Sequence, residues 1–127
     1  MILPSPTARK PCEFVGSARD DLRAMPYEVK PVLTYAIFMA QMGEKHPSAK
    51  PLKGFGGAGV LEVVEDFDGD AYRAVYTVKF AGVVYVLHVF QKKSKRGSAT
   101  PKHDMELIKL RLALAEQHYR ENYRKAG

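Results

Sequence analysis

The chain has 127 residues, 46% hydrophobic composition and a net charge of +6, which fits one globular domain that favours polyanionic partners. No stretch reaches the roughly 18 apolar residues of a membrane span, and MILPSPTARK lacks the apolar segment of a secretory signal, so we expect a cytoplasmic protein with no membrane partner. The single cysteine, Cys12, excludes an internal disulfide and a thiolate metal site.

The first third of the chain predicts an arm and two helices within a single domain of residues 1–127. Residues 1–12 are rich in Pro and Ser and predict a loose N-terminal arm. Ser17 is placed to cap a short helix over Ala18–Met25. Apolar residues at helical spacing predict a second helix over Tyr27–Met42.

The glycine-rich loop at residues 50–60 matches G-x-G-x-x-G by spacing alone. We reject a dinucleotide site, because a helix precedes this loop and a strand follows it, the reverse of the order that the motif requires. DFDGD at residues 66–70 likewise lacks the spacing of a calcium loop. It predicts a hairpin turn at Asp68 and Gly69 instead.

Three strand patterns follow, joined by turns at residues 68–69 and 81–82. They are LEVVEDF, AYRAVYTVKF and VVYVLHVF, and their short links predict an antiparallel meander. Thr100 and Pro101 resemble the N-cap and first residue of a last helix that runs to about Tyr123. The predicted fold is therefore α+β, with two N-terminal helices, a meander of three or more strands and a C-terminal helix packed on the sheet.

Arg73 lies in the middle strand, where alternation places it on the same face as Lys79. A buried guanidinium needs an anion, because an unpaired buried charge costs several kcal/mol. The anion is either an internal carboxylate or a phosphate, which a guanidinium binds with two parallel hydrogen bonds. An internal partner would argue against a phosphate site.

The last strand runs directly into a basic loop. From Lys79 to His103, both included, there are six Lys or Arg and no Asp or Glu, whereas Glu62–Asp70 carries five acids and no base. Solvated turns explain such runs, but antiparallel pairing would also bring the loop near Arg73. That arrangement suits an RNA backbone, with Phe90, Tyr76 and Tyr85 as candidates for stacking on bases or for the core.

Metal-independent RNA cleavage needs a proton acceptor, a group that stabilises negative charge on phosphorus, and a proton donor. Lys, Arg and His fill these roles, so we expect no metal and no cofactor. Two histidines flank the loop. His88 fits a core residue, and His103 lies at the predicted helix start.

Three segments, in this order, resemble the RelE/ParE superfamily of bacterial type II toxins, and most closely its HigB-like, phage-derived branch. They are Lys53-Gly54 before a strand with Leu61 and Glu62, Tyr72-Arg73 opening YRAVYTV, and HVFQKKS before a Thr-Pro helix start. The resemblance covers about residues 12 to 120.

The resemblance implies a metal-independent endoribonuclease that cuts translated mRNA in the ribosome. It implies a helix-turn-helix, HigA-like antitoxin as a partner, with a heterotetramer as one expected assembly. Carried over by position, Arg73 stabilises the phosphate charge, and Lys92 and Lys93 hold the backbone or assist proton transfer. The residues expected to bind RNA or the ribosome are Lys53, Lys79, Phe90, Gln91, Lys95 and Arg96.

RelE has a tyrosine soon after its basic motif, whereas QKKSKRGSAT has none. We therefore take His103 as the substitute proton donor. A ParE-like inhibitor that binds DNA gyrase without cutting RNA is the alternative, since the same fold serves both activities. A degenerate relic without activity stays open.

Overall fold

A computed structural model of the chain describes residues 9–57, 59–92 and 100–123. Within these residues, three helices and one five-stranded mixed sheet confirm the predicted α+β class. In chain order the elements are β1 (Cys12–Phe14), α1 (Ala18–Arg23), α2 (Lys30–Gln41), β2 (Lys50–Pro51), β3 (Val60–Phe67), β4 (Asp70–Thr77), β5 (Val84–Lys92) and α3 (Lys102–Asn122). No helix in this part of the chain is long and apolar enough to cross a membrane.

The sheet has the order β1-β5-β4-β3-β2. Strands β3, β4 and β5 form the predicted antiparallel meander. Its first turn uses Asp68 at φ 54° and Gly69 at φ 86°, the left-handed pair that a tight hairpin requires. The hydrogen-bond register across this turn therefore starts at Phe67 opposite Asp70.

The predicted N-terminal arm of residues 1–12 extends too far, because backbone hydrogen bonds attach the chain to the domain from Lys10 onward. The Lys10 amide donates to the Gln41 carbonyl, and the Pro11 carbonyl accepts from the Val84 amide. Cys12 then begins β1, which pairs with β5 in parallel. A three-residue strand is too short to show a period in the sequence, and residues 1–8 lie outside the described part.

The two faces of the sheet are covered by different helices. Apolar residues of α1 and α2 pack on the face that carries Val63, Ala74 and Tyr76, and α3 packs on the opposite face. Val75 and Phe90 lie on the α3 side, which is also the side of Arg73 by strand alternation. The alternation predicted for β4 is confirmed, so Arg73 lies beneath α3 rather than on an open face.

The starts of two helices differ from the prediction for local reasons. Helix α2 begins at Lys30 rather than Tyr27, since a turn from Pro26 to Val29 precedes it and Pro31 falls in its first turn, where a missing amide is tolerated. Helix α3 has Pro101 at its N-cap position, so the predicted N-cap at Thr100 is wrong.

We expect the substitution Ile108→Ala to lower the free energy of unfolding by about 2–5 kcal/mol, because Ile108 is fully buried between α3 and the sheet. Leu110→Ala, on the same helix at 57% exposure, serves as the matched control and should change stability by about 0.5 kcal/mol or less. Urea unfolding followed by circular dichroism measures both. Equal losses would contradict the packing of α3.

Candidate functional site

Three rows of residues cross the meander on its α3 side. Adjacent strands are about 4.8 Å apart, so residues in neighbouring rows on adjacent strands lie diagonally next to each other. Arg73 in the second row and Lys92 in the third row are diagonal neighbours of this kind. The rows are Glu62, Val75 and His88, then Val64, Arg73 and Phe90, then Asp66, Ala71 and Lys92.

Arg73 is buried at 4% exposure and has a carboxylate partner within the protein. Its Nη1 donates to Glu62 Oε2 at 2.8 Å, and the Glu62 side chain is only 15% exposed. Of the two anions that the sequence left open, the structure therefore shows the internal carboxylate. A phosphate that reached Arg73 would have to compete with Glu62 for the guanidinium.

His88 and Asp104 form a second buried pair one row away. His88 Nε2 lies 2.7 Å from Asp104 Oδ1, and the imidazole stacks on the Phe90 ring at a centroid distance of 4.4 Å. Burial lowers the pKa of His88, and the hydrogen bond to Asp104 opposes that shift. A β-bulge at Leu87 shifts the register between Val75 and Tyr76, which places His88 opposite Val75.

The beginning of α3 contacts both pairs. Asp104 belongs to its first turn, and Thr100, just before the helix, has its hydroxyl 3.4 Å from Glu62 Oε2. Instead of capping the helix, the Thr100 side chain points toward the Glu62 carboxylate. The two pairs therefore connect β3, β4 and β5 to the start of α3.

Polar residues follow this cluster at the end of β5, with Lys92 on the face of Arg73 and Gln91, by alternation, on the opposite face. Lys92 is half-buried, and Gln91 is exposed and donates to Asp70 Oδ2 at 2.7 Å. His103 is exposed in the first turn of α3. Lys93, Lys95 and Arg96 of the predicted site lie outside the described residues.

Two expectations about the binding surface do not fit the structure. Phe90 is 8% exposed and its ring packs on His88, so it offers no free face to a base; Tyr76 and Tyr85 are likewise buried. Lys79 is exposed but lies two residues beyond the end of β4. That end is itself about 20 Å along the strand from the row of Lys92. Lys53 is exposed in the connection between β2 and β3.

The sequence analysis missed Glu62 and Asp104 as site residues. Glu62 could have been found from the sequence. Pairing the two strands outward from the turn at residues 68–69 puts Val64 opposite Arg73, and Glu62, two positions before Val64, lies on the same face. Asp104 could not, since the contact with His88 depends on how α3 crosses the sheet. Among residues 9–57, 59–92 and 100–123, no group of three or more His, Cys, Asp or Glu is arranged to hold a metal.

Residues 20–113 match the family described as "Phage derived protein Gp49-like (DUF891)". The chain belongs to this family, which confirms the predicted phage-derived branch. It is also similar to a chain in the crystal structure of the toxin-antitoxin complex RelBE2 from Mycobacterium tuberculosis, with 23% identity, a TM-score of 0.45, and coverage of 68% of this chain and 94% of that chain. No curated protein matches the sequence.

Removing one member of the Arg73–Glu62 pair should be more harmful than replacing both. We expect Arg73→Met to cost about 3–5 kcal/mol, because it leaves the Glu62 carboxylate without its guanidinium, and Arg73→Met/Glu62→Leu to recover much of that loss. The exposed pair Arg120–Glu116 is the control, and Arg120→Met should cost about 1 kcal/mol or less. Denaturant titrations give the values, and additive losses would contradict the coupling.

The stability of the protein should fall as the pH drops below about 6.5, the ordinary pKa of histidine. Because the pKa of His88 is lowered in the folded state, the unfolded chain binds the proton first, and protonation favours unfolding until the pH passes below the folded pKa. His88→Gln should therefore flatten the pH dependence, whereas His103→Gln at the exposed position should keep it. Thermal unfolding between pH 5 and pH 8 measures the slopes; an unchanged slope in His88→Gln would contradict this origin.

Proposed function

We propose that the chain is the toxin of a type II toxin-antitoxin system and that it cleaves translated mRNA on the ribosome. Membership of the phage-derived family and the superfamily resemblance support the toxin assignment. The observation that carries the nuclease proposal is the position of Arg73 and Lys92, diagonal neighbours on one face of the sheet beside a carboxylate. A guanidinium, an ammonium group and a proton acceptor at one site are the groups that metal-independent cleavage of RNA needs.

The proposed reaction is attack of a ribose 2′-hydroxyl on the neighbouring phosphorus, which gives a 2′,3′-cyclic phosphate. Arg73 stabilises the charge that develops on the phosphate oxygens, after the phosphate has replaced Glu62 at the guanidinium. Lys92 and, by its place in the sequence, Lys93 hold the RNA backbone. His103, exposed in the first turn of α3, protonates the leaving 5′ oxygen.

The proposed partners follow from this activity. Exposed Lys53 binds the ribosome or the mRNA, and Lys95 and Arg96 are proposed for the same role from their place in the basic motif. A helix-turn-helix, HigA-like antitoxin neutralises the toxin, with a heterotetramer as the proposed assembly. Because ribosomes and translated mRNA are cytoplasmic, the toxin acts in the cytoplasm.

One observation favours a second candidate function. The ion pair with Glu62 already satisfies Arg73 inside the protein, so the arginine has a structural role that requires no RNA. A ParE-like inhibitor, which binds DNA gyrase and performs no chemistry, is compatible with such a pair.

Induced expression should arrest growth and produce discrete new 5′ ends within translated mRNA. Arg73→Lys should reduce cleavage about 10²- to 10³-fold, because lysine keeps the charge beside Glu62 but loses the two-pronged contact with phosphate. His103→Ala tests the proton donor in the same assay. Sequencing of mRNA 5′ ends measures the cuts, with the exposed Arg23→Lys as a control that should leave them unchanged.

Three outcomes would count against these assignments. Broken DNA without codon-linked cuts would favour the gyrase inhibitor. Full cleavage by Arg73→Lys would remove Arg73 from the reaction, and unchanged single-turnover cleavage by His103→Ala would remove His103.

A further inference from the structure

The Glu62 carboxylate holds the Nη1 donor of Arg73, where a phosphate would compete with it. It lies 2.8 Å from the guanidinium, and both side chains are largely buried beneath the start of α3. Two anions cannot share these donors without strong repulsion. A phosphate that takes the Nη1 donor therefore releases Glu62, and the released carboxylate stays at the site.

We propose that Glu62 is a catalytic residue, the base that accepts the proton of the 2′-hydroxyl once the substrate phosphate has displaced it from Arg73. This inference rests on the proposed nuclease function and extends it. Glu62 is thus a competitor of the substrate before binding and a proton acceptor after binding. In the free protein it keeps the charge of Arg73 compensated.

The position of Glu62 supports both roles. Its Oε2 is 2.8 Å from Arg73 Nη1 and 3.4 Å from the Thr100 hydroxyl, so the carboxylate has a second donor when the guanidinium turns to the phosphate. Its three side-chain torsions allow it to move while the strand stays in register. After the exchange, the carboxylate and the phosphate are neighbours on the same face of the sheet.

Other carboxylates of this part of the sheet are engaged by other residues or lie farther from Arg73. Asp104 accepts from His88, and Asp70 accepts from Gln91. Asp66 is exposed and stands opposite Ala71, one row beyond Arg73. Among the residues that the structure describes, Glu62 is the carboxylate in contact with the guanidinium that is proposed to bind the reacting phosphate.

The step balances without a further reactant. The 2′ O–H bond breaks, its proton passes to the Glu62 carboxylate, and the oxygen lone pair forms the new bond to phosphorus. The bond between phosphorus and the 5′ oxygen breaks, and that oxygen takes a proton from the donor proposed above. The products are a 2′,3′-cyclic phosphate and a 5′-hydroxyl end, and Glu62 returns its proton to solvent.

The decisive variant is Glu62→Gln, whose amide oxygen still accepts a hydrogen bond from Arg73 but carries no charge and is no useful base. Cleavage in single turnover on programmed ribosomes should fall about 10²- to 10⁴-fold. Binding of an oligonucleotide with a 2′-deoxy position at the cleavage site should become tighter, by roughly threefold or more, because the competing anion is gone. A merely structural role would weaken both together.

Glu65→Gln is the matched control, since it removes the same charge from the same strand at a position that alternation places on the opposite face. It should leave cleavage unchanged. Glu62→Asp keeps the carboxylate on a shorter side chain and should keep part of the cleavage. Thermal unfolding of each variant verifies that it is folded.

The results separate failure of this inference from failure of the proposed function. Wild-type cleavage with Glu62→Gln equally active would overturn the catalytic role and leave the nuclease intact. Weaker oligonucleotide binding by folded Glu62→Gln would overturn the exchange at Arg73. A wild-type protein that arrests growth but cuts no mRNA would overturn the nuclease, and the role of Glu62 with it.

Discussion

The burial of one guanidinium in the middle of the sheet constrains the rest of this face. Arg73 is almost fully buried on β4, and a charge at that depth requires an anion at contact distance. Glu62 supplies it from the neighbouring strand, which is possible because the tight turn at Asp68 and Gly69 sets the register of β3 against β4. One turn therefore determines whether the buried charge is compensated.

The same face explains how α3 is held. Apolar contacts through Ile108 and Ala115 fix the middle of the helix on the sheet, while Asp104 and Thr100 reach the polar pairs at its start. Apolar burial supplies most of the stabilisation, and the polar contacts set the position of the helix start. The end of β5 and the start of α3 are in this way brought to one place on the protein.

Much of the fold could be predicted from periodicity and turn chemistry. The meander, the faces of β4 and the hairpin at Gly69 follow from local patterns, and they correctly put Arg73 on the same face of β4 as Val75. The anion that pairs with Arg73 was left undecided, because alternation within one strand does not identify the side chain that faces Arg73 from the neighbouring strand. Strand β1, the contact of Asp104 with His88 and the burial of Phe90 depend on tertiary packing, which strand and helix periods do not encode.

The parallel pairing of β1 with β5 delays the completion of the sheet in the nascent chain. Cys12 pairs with Val84, so the first strand has no place in the sheet until more than seventy further residues have been synthesised. The last helix, which covers the face of Arg73, is made later still. The native architecture thus forms only after α3 has been synthesised, and a polypeptide terminated before residue 84 would lack both the partner strand of β1 and the helix that covers the polar cluster.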